Sequence, residues 1–343
     1  MKKSIPDSSS CSGLKDVYAI GTPVVDYLAH CKDDFLFDLK LEKGSTNFIP
    51  RAKVDGICNE LGKAITSVSP GDNARNTCEG IAYLGGSCTY AGSIGNDYEG
   101  KMFSKSLKSA GIEGRLETMP GTTGKILCLV TPDAQRTFAA NLGNGVDFSS
   151  FDLETAKEHK YFFVTSITAL EKGDIGPATR GAMKKCADAG IEVAFSLESP
   201  AMISNNAKAL LKLLESAPIS VLFGNEEEFE ALGLDPRKDY CGEAKMAVLK
   251  KGKAGSEIIT FSHADIEKQT GKITPMSLPS PDKIKSVAIP AIPVDVVDTT
   301  GAGDYFAAGF LYGLSRCASL EDSGRKGAQL AARAISRLGA SVF

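Results

Sequence analysis

A mostly parallel α/β sheet covered by helices is the fold class that this 343-residue sequence predicts. Three observations carry the prediction. Short apolar runs, YFFVTSI (161–167), IEVAFSL (191–197), SVLFG (220–224) and SEIITF (256–261), alternate with helical stretches such as ATRGAMKKCADAG and SNNAKALLKLLESA. That alternation argues a parallel sheet with helices on both faces. The length allows one large α/β domain or two ordinary ones, and a composition 43% hydrophobic and 24% charged supplies a sizeable core. No competing pattern intrudes: there is no fixed-period repeat and no low-complexity tract, and no apolar stretch approaches the roughly 20 residues of a membrane helix.

Taken in order, DVYAIG (16–21) reads as a buried strand. FLFDLKLEKGSTNFI (35–49) partly alternates and reads as strand material around a Lys-Gly turn. TCEGIAYLGG (77–86) reads as a helix with Ile81 and Leu84 on one face, and SCTYAGSIG (87–95) as a strand. In the next segment Asn96 and Glu99 have capping-box spacing. Phe103, Leu107 and Ala110 then recur at helical spacing before Gly111, a plausible stop. KILCLVTPDAQRTFAANLG (125–143) reads as two strands joined by the turn TPDAQ. YFAAGFLYGLSRC and GRKGAQLAARAISRLG are the last helices.

Charge and cysteine usage exclude several function classes. Lys plus Arg (39) nearly balance Asp plus Glu (42), so net charge points to neither a nucleic-acid partner nor an acidic membrane. The nine cysteines are odd in number and scattered, with no C-x-x-C, which argues against a disulfide framework or a zinc site and for a reducing compartment. The opening MKKSIPDSSSCSG has no apolar run after its lysines, so it reads as a polar tail, not a signal peptide. A cytoplasmic protein is expected.

Two phosphate motifs fail on their chemistry. GNDYEGKM (95–102) has the skeleton G-x-x-x-x-G-K between a strand and a helix. Its last position is Met102, which cannot ligate magnesium, and Asp97 and Glu99 would repel a phosphate. VDTTGAGDYFAAGF (297–310) is not a dinucleotide turn either, because Phe306 replaces the third glycine and too little chain follows.

On its own terms TTGAGD is an anion-binding nest at a helix start, in which Gly301 and Gly303 admit close backbone approach. An acid beside such a nest suits phosphate transfer. The carboxylate of Asp304 can take the proton of an attacking hydroxyl while the nest stabilises charge on the transferring group. The competing reading is a plain helix N-cap after a Gly turn. Residue chemistry alone leaves both open.

DTTGAGDYFAAGF strongly resembles the C-terminal signature of the ribokinase-like (PfkB) carbohydrate and nucleoside kinases, and the resemblance runs from DVYAIG to RLGAS. It implies that Asp304 is the catalytic base and that the backbone of Gly301, Ala302 and Gly303 forms the anion hole. AIGTPVVDYLA resembles the family's first strand and the acid that follows it, which implies that Asp26 hydrogen-bonds sugar hydroxyls. PGDNARNTCEGIAYLGG resembles the Gly-Gly-x-x-x-Asn motif, placing Gly71, Asp72, Asn73 and Asn76 at the acceptor, with Asp72 in place of the second glycine. GNEEE resembles N-x-x-E, so that Asn225 and Glu228 would help hold magnesium, through water, and the phosphates. LKKGKAGSE resembles the strand and turn bordering the nucleotide, giving Lys250, Gly252 and Gly255. Arg136 falls where members carry an arginine near the transferred phosphate, with a solvated hairpin arginine as the alternative. Asp298 matches a position linked to a monovalent-cation loop, with the loop near Gly339 as partner and potassium as the ion.

The implied fold is a ribokinase-like three-layer α/β/α domain (14–21, 68–115 and 143–343) with a small β lid (22–67 and 116–142). The implied substrates are ATP with Mg2+ and a primary hydroxyl. The pattern is most like the adenosine-kinase-like branch, so a nucleoside acceptor, adenosine, is expected; ribose or fructose is the second reading, and a non-catalytic sugar- or nucleotide-binding module a third. No nucleic-acid or membrane partner is expected, and the protein would be a monomer or a homodimer.

Overall fold

A computed structural model describes residues 13–239, 241, 242, 244–261, 284–337, 339, 340 and 342; most of the polar opening segment lies outside them. Fourteen strands are found among the described residues, in two sheets.

The larger sheet holds nine. In chain order they are β1 (Lys15–Ile20), β5 (Cys88–Gly95), β6 (Glu113–Met119), β9 (His159–Thr165), β10 (Glu192–Ser196), β11 (Val221–Asn225), β12 (Met246–Lys250), β13 (Ser256–Phe261) and β14 (Ile284–Ile289). Their spatial order is β14-β13-β12-β11-β10-β9-β1-β5-β6. From β12 to β6 all neighbours are parallel, and only the β12–β13 and β13–β14 pairs are antiparallel, so β13 alone runs against the rest. The expected mostly parallel sheet is therefore present.

Period-two alternation divides its side chains between two cores. Phe162 joins Phe195 and Leu222 on one face, with Met183 of helix α7 (Ile175–Asp188) and Leu210 of α8 (Pro200–Ser216). Phe163 joins Val17 and Phe223 on the other, against α3 (Asn73–Tyr83), α4 (Tyr98–Ser109) and the last two helices, α10 (Ala302–Ser315) and α11 (Leu320–Ile335). Each fully buried Phe contributes roughly 1.5–3 kcal/mol of transfer free energy. The result is three layers, α/β/α.

The smaller sheet, ordered β3-β8-β7-β2-β4, comprises β2 (Val24–His30), β3 (Thr46–Phe48), β4 (Ile65–Gly71), β7 (Thr123–Val130) and β8 (Arg136–Gly143). Its own core gathers Ala29, Leu127 and Leu129 with Val54 and Ile57 of α2 (Arg51–Leu61). The seams differ from the expected segments at three places: residues 68–71 complete β4 and residue 143 completes β8 in the smaller sheet, and 116–119 complete β6 in the larger. FLFD is also not strand. Asp33–Asp38 forms α1, whose two leading acids suit a helix N-terminus and whose single buried residue is Leu36. The remaining helices are α5 (Leu153–Ala156), α6 (Ser166–Leu170) and α9 (Glu226–Leu232).

The cap of α4 is Asp97, not Asn96. Its Oδ1 accepts from Gly100 N at 2.8 Å, and its carboxylate also takes the N–H and hydroxyl of Thr123. GNDYEGKM is thus a strand-to-helix turn with an acidic cap. Seven of the described cysteines are free thiols, as expected, but Cys317 is disulfide-bonded. Among the described residues no helix is long and apolar enough to cross a membrane.

Candidate active site

Parallel strands end on one rim, and that rim is where α/β sheets place their ligands. Here Glu198, just past β10, and Lys250, at the end of β12, face Asp304 and Gly303 at the start of α10.

The start of α10 shows what Asp304 touches. Gly301 caps the helix in the left-handed conformation, φ 76°, and no side chain caps it. Asp304 stands three residues further on and points across to α3, where Asn76 Nδ2 donates to its Oδ2 at 2.9 Å. The N-cap reading therefore fails, and the carboxylate faces α3. Helix starts leave their first N–H groups without intrahelical partners. The N–H of Ala302 is spent on Thr299 O at 3.2 Å, so Gly303 and Asp304 supply the nest. Lys250 Nζ lies 2.7 Å from the point a Cβ on Gly303 would occupy, which puts a cation over the same backbone.

Asp304 is only 8% exposed. Burial pushes its carboxyl up to about 7. Asp72 and Glu228 add to that, while the Asn76 hydrogen bond and the charge of Lys250 oppose it. Such a group can take or hold a proton near neutral pH.

The residues that the resemblance assigns to the acceptor lie on the smaller sheet and the turn into α3. Asp26, on β2, is partly buried, and its carboxyl is raised to about 7 by burial and by the charge of Asp72, against Arg75. Gly71 is required beside it, because a Cβ there would stand 2.0 Å from Asp26 Oδ2. Gly71→Ala is expected to displace that carboxylate and raise the acceptor KM about tenfold, one hydrogen bond to a charged group being worth ~1.5–3 kcal/mol. Initial rates against acceptor concentration check this, and an unchanged KM would detach Asp26 from the acceptor.

Asp72 is occupied differently from what the resemblance implies. Its φ is 114°, a conformation that favours glycine, and its side chain caps α3. Oδ1 accepts from Thr22 N at 3.1 Å, and Oδ2 from Arg75 N at 3.0 Å and Tyr90 Oη at 2.9 Å. Burial still raises it to about 6 against those bonds. Asp72 thus fixes the turn, with its oxygens already spoken for. Asn73 is likewise engaged, donating to Glu198.

Asn225 and Glu228 form a reciprocal capping box on α9, with both bonds at 2.8 Å. That uses Oε2 of Glu228. The carboxyl is buried, and burial raises it against Lys250 and the Asn225 N–H. Gly252 and Gly255 shape the turn between β12 and β13, both at positive φ, beyond Lys250. Asp298 and Gly339 do come together, Gly339 N donating to Oδ2 at 3.0 Å. Its Oδ1 accepts from Arg136 Nη2 at 2.7 Å, Thr300 N at 2.9 Å and Thr300 Oγ1 at 2.7 Å. Burial disfavours the ionised form, but these partners win and hold Asp298 below its usual range. Arg136 is therefore held at the loop that leads into α10, with its guanidinium on Asp298 and Thr300.

One acid at the site was missed from sequence. Glu198, 6% exposed, follows the end of β10. Its Oε1 has no hydrogen-bond partner, and burial and Asp304 push its carboxyl well upward. A polar residue just past a buried parallel strand was the available signal.

A buried, raised carboxyl beside a glycine turn at a helix start, with a lysine over it, suits phosphoryl transfer to an alcohol group, the chemistry of an ATP-dependent kinase. The chain belongs to the pfkB family of carbohydrate kinases, whose model matches residues 52–342. It is 28% identical to probable fructokinase-6, chloroplastic, of Arabidopsis thaliana, over 74% of this chain and 64% of that protein. It is 25% identical to the adenosine kinase of Saccharomyces cerevisiae, over 94% of this chain and 95% of that one. The crystal structure of adenosine kinase from Sinorhizobium meliloti superposes with a TM-score of 0.79 at 25% identity, covering 96% of each chain. The fold is ribokinase-like.

Proposed function

We propose that the chain transfers the γ-phosphoryl group of ATP to the primary hydroxyl of a nucleoside, adenosine, giving AMP. The observation that carries the chemistry is the buried Asp304 carboxyl held by Asn76 beside the Gly301–Gly303 turn. In this reading Asp26, with the turn 71–76, holds the acceptor. Asp304 takes the hydroxyl proton as the new O–P bond forms and the bond to ADP breaks. The nest and Lys250 receive the charge on the transferring group. The five-stranded sheet, with its helices, acts as a lid that excludes water.

Support for adenosine is the similarity to the yeast adenosine kinase, which extends over nearly the whole chain, whereas that to the fructokinase covers three quarters. The latter keeps a free sugar as the second reading. Magnesium fits the donor set, since Glu228 spends Oε2 on its cap and Glu198 Oε1 is unpartnered. Glu228 would hold the ion through water, and the ion would offset phosphate charge. Asp298 is fully engaged here, so activity without added potassium is the expectation.

ATP consumption with magnesium against adenosine, inosine, guanosine, cytidine, ribose, fructose and 6-phosphosugars tests this. Adenosine turned over far above the sugars is expected; a sugar preferred over every nucleoside overturns the acceptor. The pH profile follows from the site. A base must be unprotonated, so kcat/KM rises with pH through about 7, the value of Asp304. Asp26 titrates in the same range, so the acidic limb is steeper than one proton. A flat profile between pH 5.5 and 8 would remove Asp304 from the chemistry.

A further inference from the structure

The Asn76–Asp304 contact depends on a choice that neither residue makes alone. An asparagine amide turned by half a revolution has nearly the same shape, but it would present Oδ1 to the carboxylate and repel it. The choice is made on the far side of Asn76. There Arg75 Nη1 donates to Asn76 Oδ1 at 3.3 Å. A guanidinium has donors only, so it accepts the carbonyl face of the amide and rejects the NH2 face.

Arg75 is itself fixed. Nη2 pairs with Glu79 Oε1 at 3.1 Å, one helical turn on, and Nε donates to Ser106 Oγ on α4 at 3.3 Å. Glu79 also takes the hydroxyl of Tyr305, the residue after Asp304, and that hydroxyl lies 3.1 Å from Ala340 O. Arg75, Asn76 and Glu79 are all 4–5% exposed, so water does not compete for these bonds. The ring of contacts leaves α3 at Asn76, reaches α10 at Asp304 and returns through Tyr305 and Glu79.

We propose that Arg75 is a positioning residue for phosphoryl transfer: by holding the amide oxygen of Asn76 it aims the Asn76 NH2 at Asp304 and orients that carboxylate toward the acceptor hydroxyl. This rests on Asp304 acting as the base. Several other groups bear on Asp304: Asp72 before α3, Glu198 after β10, Glu228 on α9, Lys250 at the end of β12, and Glu79 and Tyr305 behind it. With Arg75 gone the Asn76 amide is free to turn. Its oxygen then favours the protonated acid, and the acidic limb of kcat/KM moves to higher pH.

The test is a double-mutant cycle on the full chain. Arg75→Met is expected to lower kcat at least tenfold, with the ATP KM within threefold, and to raise the limb by about half a unit or more. Arg75→Lys restores most of both. In an Asn76→Ala background Arg75→Met moves the limb no further. A limb unmoved by Arg75→Met overturns the proposal, and so does an equal movement with and without Asn76, which would be the through-space loss of a charge. Should Arg75→Met not fold, Glu79→Gln decides. Loosening Arg75 raises the limb, whereas the mere loss of a negative charge lowers it. The 13Cγ titration of Asp304 reads the same shifts without turnover. A wild-type chain inactive on every acceptor therefore fails the kinase reading, while the NMR titration still decides Arg75.

Discussion

Asp304→Asn is expected to lower kcat about 10³-fold, within the range that a positioned general base contributes. The substitution is nearly isosteric, and Asn76 Nδ2 can still donate to the new amide oxygen, so the ATP KM should stay within threefold. A variant keeping more than a tenth of wild-type kcat would show that the acceptor hydroxyl loses its proton elsewhere. The same change is expected to stabilise the fold. Because the folded-state value is about 7, the buried carboxylate destabilises the protein progressively as pH rises from about 4 to 7. Asp304→Asn should therefore raise the thermal midpoint at pH 8 by a few degrees and leave it nearly unchanged at pH 4. Equal midpoints at pH 8 would mean that the acid is not strained by burial.

Gly301→Val is expected to cost about 10²–10³ in kcat, the loss associated with removing one anion-hole donor. Left-handed backbone penalises any side chain by ~1–2 kcal/mol, and a β-branched one more. Even the Cβ would stand 2.9 Å from Ala340 Cβ and 3.2 Å from the Tyr305 ring. The turn must move, and the N–H groups of Gly303 and Asp304 move with it. Comparison of kcat with the ATP Kd separates the outcomes. Lost kcat with retained binding fits a transition-state role, whereas kcat within threefold of wild type would mean that the turn does not set the anion hole.

What could be read from the sequence was whatever is local. The buried strands announced themselves by apolar runs between helical stretches, and GAGD by glycines placed where backbone has to approach a ligand. The helix Asp33–Asp38 was missed because six residues carry too little periodicity, with one buried side chain to mark a face. Asn96 lost the cap to Asp97 because Thr123, 26 residues on, rewards the second position with two further bonds. Glu198 and Arg75 were hard to read for the same reason. Glu198 is marked in the chain only by following a buried strand, since Asn73 and Asp304 reach it through the fold, and the value of Arg75 lies in which way it turns its neighbour's amide. The N-x-x-E spacing was legible twice over, as a helix cap and as a phosphate-side acid. The structure realises the cap and leaves the second role to one remaining oxygen.

The Arg136–Asp298 pair joins residues 162 positions apart, one on the smaller sheet and one on the loop that opens the anion hole. If the transferred phosphate also engages Arg136, Asp298 and the nucleotide compete for one guanidinium. Linkage makes that competition reciprocal. Whatever affinity the pair takes from ATP, ATP takes from the tie between the two sheets, by the same factor. The empty protein is then the latched one. Binding the nucleotide loosens the grip of the smaller sheet on the loop, and departure of the phosphorylated acceptor, which carries the transferred phosphate away, restores it, so resetting the site and releasing that product are one event on a common energy scale.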